Sequence, residues 1–226
     1  MPYLALDTST EYLSLAINTA RGIVARDWPA EQKHAEMILP ALATLLQECQ
    51  LSMKDIEGVA FGNGPGSFTG LRIAAGITQG LAFARNIPVL GVSTLAALAE
   101  GCHARQVYVC LDARMNQVYC AAYRKEADVW QTIIEPCLSD PDSIPLPDDN
   151  NWLGTGSGFA AYGETLKQRL GTQLNGTNTE HFPHAKDILT LALPGFAAGK
   201  GSPAAQAELV YLRNKVALKT HERIKK

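Results

Sequence analysis

Tyr3-Leu4-Ala5-Leu6-Asp7 opens the chain, and Tyr108-Val109-Cys110-Leu111-Asp112 repeats its pattern near the middle. Each is a short apolar run closed by an aspartate. After Asp7 comes a polar knot, Thr8-Ser9-Thr10-Glu11, and then Leu13, Leu15 and Ile17 alternate with small or polar residues. A period of two marks a half-buried strand, so the opening reads strand, tight turn, strand. Counted from each aspartate, Leu13 and Val118 both stand six residues on, and Ala16 and Ala121 both nine. The same unit is used twice. This predicts an α/β fold of two similar subdomains, residues 1–105 and 106–226.

The segments between these anchors fit that plan. Residues 23–28 form a third strand, stopped by Pro29. Ala35, Ile38, Leu39, Leu42, Leu45 and Cys49 recur at helical spacing, which predicts a helix over 31–49 with a kink or restart at Pro40. Gly58 to Phe61 and Val89 to Val92 read as strands flanking a helix over 69–85, and Ser93 caps a helix over 94–100. Residues 136–151 hold Pro136, Pro141, Pro145 and Pro147 among many acids, and read as a loop or excursion. Helical patterns follow at 159–170 and 185–199, the second interrupted by Pro194; the last 25 residues carry no clear pattern.

Composition narrows the function classes. The chain has 226 residues, 46% hydrophobic and 19% charged, which is globular rather than disordered. The net charge of −2 and scattered basic residues argue against a dedicated nucleic-acid domain. Lys215, Lys219, Arg223, Lys225 and Lys226 gather only at the end, where a solvated terminus is the commoner reading and a contact with RNA the alternative. The five cysteines form no Cys-x-x-Cys pair, which reads as free thiols in a reducing cytoplasm; Cys110 and Cys120 fall in neighbouring strand runs as buried thiols. The start lacks the basic region of a signal peptide, and no apolar run reaches the roughly 18 residues of a membrane span.

Three motifs bear on chemistry. In actin-like ATPases the turn after the first strand is Asp-x-Gly-Thr/Ser, whose glycine lets the backbone approach phosphate closely. Here Ser9 stands at the glycine position, and the matching turn, Asp112-Ala113-Arg114-Met115-Asn116, has no glycine at all. Asp7, Thr8 and Asp112 are thus candidates for a vestigial phosphate site, with Gly154 and Gly156 of Gly154-Thr155-Gly156-Ser157-Gly158 under a nucleoside. The third motif is Gly62-Asn63-Gly64-Pro65-Gly66-Ser67-Phe68-Thr69-Gly70-Leu71-Arg72. It lacks the Gly-Lys-Ser/Thr of a P-loop, and Ser67 or Thr69 caps the helix behind it. That helix is apolar or small nearly all round, and Gly76, Gly80 and Ala84 recur every fourth residue as a flat strip. Either the strip is buried inside this chain or it meets a partner.

Leu6-Asp7-Thr8-Ser9, the Gly64–Arg72 stretch, Leu111-Asp112-Ala113-Arg114 and Tyr211-Leu212-Arg213 together resemble the TsaB (YeaZ) family, from the first strand to about residue 216. The resemblance implies a duplicated actin-like (ASKHA, ribonuclease H-like) fold. It also implies a non-catalytic scaffold in the machinery that makes N6-threonylcarbamoyladenosine at position 37 of ANN-decoding tRNAs. Such a subunit binds the paralogue TsaD, and with it the ATPase TsaE, through helices of its first half. It meets tRNA indirectly, through the complex, and forms a homodimer through the same surface when alone. On this chain the docking face would comprise Ile73, Gly76, Ile77, Gly80 and Ala84, with Met37 and Ala41 from the preceding helix.

TsaD-like proteins carry His-x-x-x-His on a helix, whose spacing aims both imidazoles at one metal. Here Ile38 stands four residues after His34, so no metal and no cofactor is expected. His181 and His184 read as surface histidines. Two competing readings remain. One is an actin-like ATPase or small-molecule kinase organised by Asp7 and Asp112. The other is a metalloprotease, for which no His-Glu-x-x-His helix exists.

Overall fold

A computed structural model describes residues 1–213; the basic cluster from Lys215 onward lies outside the described residues. Among the described residues ten strands build two five-stranded sheets, and five α-helices pack on them. In the first sheet β1 (Leu4–Asp7), β2 (Tyr12–Thr19) and β3 (Gly22–Pro29) form an antiparallel meander. Helix α1 (His34–Glu48) leads to β4 (Val59–Gly64), helix α2 (Phe68–Arg85) and β5 (Val89–Ser93), and both later strands run parallel to β1. The strand order is β3-β2-β1-β4-β5.

Helix α3 (Thr94–Gly101) crosses to the second sheet, which holds β6 (Gln106–Asp112), β7 (Val118–Glu126), β8 (Val129–Ser139), β9 (Trp152–Thr155) and β10 (Leu174–Asn178). Helix α4 (Ser157–Leu170) joins β9 to β10, and α5 (Ala185–Ala197) follows. The order β8-β7-β6-β9-β10 repeats the first sheet strand for strand. One unit is used twice, the duplication that the two Asp-terminated runs predict, in the ribonuclease H-like, actin-like arrangement that the family resemblance implies.

The duplication is not in the register that counting from each aspartate suggests. Asp7 pairs with Ser14, whereas Asp112 pairs with Val118. The second turn is one residue shorter, so Val118 answers to Ser14 rather than to Leu13, and equal counting places Ala16 and Ala121 one step apart. A hairpin's register follows its turn length.

Side-chain alternation sets the layers. Leu4 and Leu6 point to the outer face of the first sheet, where α1 and α2 pack; Ala5, Ala16 and Ala60 face inward, where α5 lies close. In the second sheet Tyr108 and Cys110 face α4, and Val107, Val109 and Leu111 face α3. The halves therefore exchange a helix: α3 covers the second sheet and α5 the first, and the two helices pack on one another. Small inward residues permit the close approach of this central layer.

Four local expectations change. Helix α1 continues through Pro40 as a single helix, and its buried stripe is His34, Ile38, Leu42, Leu45 and Leu46, leaving Ala35 and Leu39 exposed. Helix α5 likewise runs through Pro194. Residues 136–139 belong to β8, so the excursion is shorter than 136–151. It is anchored by buried Ile144 and by the Tyr108 hydroxyl, which donates to the Pro145 carbonyl at 2.7 Å. Strand β10 had no signal, because Leu174-Asn175-Gly176-Thr177-Asn178 is a polar edge strand with mostly exposed side chains.

Candidate functional site

The two aspartate turns lie at equivalent places, after β1 and after β6, and each is closed by the start of the helix behind it. In the first half the Gly62–Gly70 loop sits directly on the turn. Ser67 caps α2 by accepting from the Gly70 amide at 3.3 Å, and its own amide donates to the Ser9 carbonyl at 2.8 Å. The Thr8 hydroxyl donates to the Gly70 carbonyl at 2.7 Å. A Cβ on Gly70 would stand 1.8 Å from the Thr8 carbonyl oxygen, and one on Gly66 would stand 2.7 Å from the Ser9 Cβ. These glycines serve the seating of backbone on backbone.

Asp7 is 1% exposed. Its Oδ1 accepts from the Ser9 amide at 2.9 Å and the Ser9 hydroxyl at 2.7 Å, while its Oδ2 has no partner. A Cβ on Gly62 would lie 1.9 Å from that oxygen, so only glycine leaves it room. Burial pushes the carboxyl up to about 6, against the opposing pull of the Ser9 hydrogen bonds.

The second turn is closed differently. The Ser157 hydroxyl accepts from the Asp112 amide at 3.1 Å, and Asp112 is met by the Arg114 guanidinium at 3.2 Å and the Tyr162 hydroxyl at 3.3 Å. Arg114, Met115 and Asn116 all adopt left-handed backbone, with φ of 61°, 55° and 57°. Such a run is unfavourable for residues with a Cβ and persists where neighbours hold it. Gly154 and Gly156 are taken up by packing: a Cβ would meet the Phe159 ring at 2.6 Å and the Cys110 carbonyl oxygen at 2.5 Å.

Residues 210–213 join the two turns. The Val210 amide donates to the Asn63 carbonyl at 2.8 Å, and the Arg72 Nε donates to the Tyr211 hydroxyl at 3.2 Å while its guanidinium stacks on Phe68. Arg213 then reaches the other half, donating to the carbonyls of Ala113 at 3.1 Å and Arg114 at 3.3 Å. Sequence reasoning gave this strap no structural role, because its partners lie 98 or more residues away along the chain.

The face of α2 turned away from the sheet is open. Gly76, Gly80 and Ala84 are exposed, Ile73 and Ile77 half-buried, and beyond the backbone of the helix itself and the adjoining residues no atom lies within 4 Å of a Cβ built on either glycine. Met37 and Ala41 of α1 border it, half-buried. The strip is therefore not covered by this chain's described residues. Two apolar side chains missing from the expected face stand out: Phe83, 84% exposed, and Leu39. Phe83 lies three residues after Gly80, a spacing that marked it as a neighbour of the strip.

The three histidines singled out in the sequence, His34, His181 and His184, have structural partners. His34 is buried, with its Nε2 at 3.3 Å from the Tyr12 carbonyl. His181 and His184 are not free surface residues as expected. His184 pairs with Asp27 at 3.1 Å, and His181 is wedged at Gly101, where α3 meets α5. Burial, with the charges of His184 and His103, pushes His181 down to about 4. Burial raises the Asp27 carboxyl, but the hydrogen bonds from His184 and Ser14 outweigh it and leave it below its usual range. Among the described residues no group of three His, Cys, Asp or Glu side chains is arranged to hold a metal ion, and no helix is long and apolar enough to cross a membrane.

Comparison with known proteins identifies the family. Residues 11–191 match the family described as "TsaD: tRNA N6-adenosine threonylcarbamoyltransferase". The "tRNA threonylcarbamoyladenosine biosynthesis protein TsaB" of Escherichia coli is 37% identical, over 97% of this chain and 97% of its own. That of Haemophilus influenzae is 34% identical, over 96% and 95%. The solved structure of YeaZ from Pseudomonas aeruginosa superposes with a TM-score of 0.86 at 37% identity, covering 93% of this chain and 99% of that one. A shared fold, shared length and this level of identity place the chain in the TsaB family of tRNA threonylcarbamoyladenosine biosynthesis proteins.

Proposed function

We propose that this chain is a non-catalytic scaffold subunit of the cytoplasmic complex that forms N6-threonylcarbamoyladenosine at position 37 of ANN-decoding tRNAs. It docks TsaD, and with it TsaE, through the α1–α2 face, and meets tRNA only through that complex. The carrying observation is the uncovered strip of Ile73, Gly76, Ile77, Gly80 and Ala84, with Phe83 beside it. Two adjacent glycine gaps on an otherwise apolar helix suit close approach of a partner helix, and the same face serves a homodimer when the partner is absent. The division near residue 105 is part of this reading: sheet one supplies the docking face, and sheet two buttresses it through α3 and α5. The two turns act as internal packing sites: the Ser9 amide and hydroxyl hold one oxygen of Asp7, and Arg114 and Tyr162 meet Asp112.

The test is a reconstituted modification assay with TsaD, TsaE, threonylcarbamoyl-adenylate and substrate tRNA, with and without this protein. Product is expected only with the protein, and Gly80→Arg is expected to abolish it without unfolding the chain. Full product in its absence overturns the scaffold role. The competing reading, an actin-like ATPase or kinase, draws on the unpartnered Oδ2 of Asp7. Calorimetric titration with Mg-ATP separates the two: no saturable heat is expected, and binding lost in Asp7→Ala would favour the enzyme.

A further inference from the structure

Three cysteines stand in a row across neighbouring strands of the second sheet. Cys110 of β6 is directly opposite Cys120 of β7, and Cys120 is directly opposite Cys137 of β8. Residues opposed in this way share one face of the sheet. Cys110 and Cys120 are buried, while Cys137 is half-exposed on the edge strand. The sulfurs of Cys120 and Cys137 lie 3.5 Å apart.

We propose that Cys120 and Cys137 are a modification site, a dithiol that reacts with hydroperoxides to form a reversible disulfide between β7 and β8.

The backbone already suits the bond. Directly opposed residues of an antiparallel ladder have Cα atoms roughly 4.5–5.5 Å apart, inside the range of about 4.4–6.8 Å that a disulfide spans. Closing the sulfurs to about 2.05 Å requires small side-chain rotations only. The ladder is also locally irregular at this point. Its register passes from Cys120 opposite Cys137 to Ala122 opposite Ile134, so Glu135 and Pro136 together oppose Ala121. A bulge of this kind next to Cys137, on an edge strand and containing a proline, gives the backbone room to adjust.

The order of events follows from exposure. Cys137 is the sulfur of the row that solvent reaches, and the hydrogen bond from Cys120 holds its pKa below the ordinary thiol value, which favours the nucleophilic thiolate. The Cys137 thiolate attacks one oxygen of the peroxide. A sulfur–oxygen bond forms, the oxygen–oxygen bond breaks, and the departing oxygen takes a proton to leave as water or an alcohol. Sulfur is oxidised by two electrons and the peroxide is reduced by two. The Cys120 sulfur then attacks the Cys137 sulfenic acid; the sulfur–sulfur bond forms, and the hydroxyl leaves with the Cys120 proton as water. Cys110 has no solvent path. Cys49 and Cys102 are half-buried, have no opposing thiol, and burial pushes both thiols up.

The experiment uses the reduced full chain, treated with a small excess of hydrogen peroxide, quenched with an alkylating agent and mapped by mass spectrometry without reduction. The expected product is lighter by two hydrogens, carries one linked peptide joining Cys120 to Cys137, and returns to the starting mass with dithiothreitol. The pair is expected to react on the order of tenfold faster than Cys49 or Cys102. In Cys120→Ala, dimedone is expected to trap a sulfenic acid at Cys137. A link between Cys110 and Cys120 overturns the proposal, as does sulfinic acid at Cys137 in the unmutated chain, or thiol loss no faster than at Cys49 and Cys102. The mapping of the unmutated chain decides the matter even where the variant does not fold.

Discussion

At the scale of single residues, the buried aspartate and the glycines around it decide most. Asp7 has its pKa raised from 3.8 to about 6, so the folded chain binds more protons than the unfolded one between those values. Stability from this group is therefore fully present below pH 3.8 and is lost as pH climbs from there through 6. Asp7→Asn removes the ionisation. Relative to the unmutated chain it is expected to gain on the order of 2 kcal/mol between pH 4 and pH 7.5, read from denaturant unfolding at each pH. Parallel stability curves would exclude a buried carboxylate with this shift. Gly70→Ala is expected to cost more than about 3 kcal/mol or prevent folding, because its Cβ would collide with the Thr8 carbonyl rather than with a flexible side chain; circular dichroism and thermal melting check it. The sequence marked both positions, Asp7 by its place after an apolar strand and Gly70 by its glycine-rich loop. It did not reveal that they close the same turn.

At the scale of elements, α2 carries the contrast between folding and function. Gly76 and Gly80 are exposed helix-interior glycines with open space at Cβ. Replacing each by alanine is expected to stabilise the isolated chain by about 0.5–1 kcal/mol, since alanine restricts the unfolded chain and favours helix. The same replacements are expected to weaken association with TsaD, measurable by co-purification and by titration calorimetry. Stability gained together with binding lost would separate a docking strip from a fold requirement; undiminished binding would count against docking there. The periodicity of α2 was readable from its residues alone, including the lack of a water-facing polar side. Which way the strip points was not, because a helix that is apolar all round gives no polar face to orient it. In α1 the sequence erred differently: Leu39 and Ala35 fit the helical period but lie just off the buried stripe, which begins instead at His34. A polar residue at the core edge, satisfied by the Tyr12 carbonyl, is invisible to a hydrophobic count.

At the scale of the whole molecule, two sets of contacts hold the halves together. One is the exchanged pair α3 and α5, with His181 wedged at Gly101 between them. The pKa of His181 is lowered from 6.5 to about 4, so the unfolded chain binds the extra proton in that window and this group's contribution to stability falls as pH drops through it. Its sign is opposite to that of Asp7. Asp7→Asn should therefore show a steeper acid loss below pH 6.5 than the unmutated chain, and adding His181→Gln should flatten it. The other set is the strap 210–213. Arg213→Ala removes the donors that hold the carbonyls of Ala113 and Arg114, and is expected to speed amide exchange at Gln117, whose amide donates to Arg114, while leaving the core of the first sheet protected. Unchanged exchange there would mean that the left-handed turn holds itself. The repeated strand–Asp–turn unit, the meander, most helices and the cap at Ser93 were legible in the linear chain, because these follow from local periodicity and from side chains that reach their own neighbouring amides; the choice of Ser67 over Thr69 as the cap of α2 came from the structure. The tertiary structure alone decided the one-residue difference between the two turns, the exchange of α3 and α5, the outward face of α2 and the closing of both turns. Each of these depends on which distant backbone is close enough to touch, and a linear pattern of apolar and polar residues carries no record of that distance.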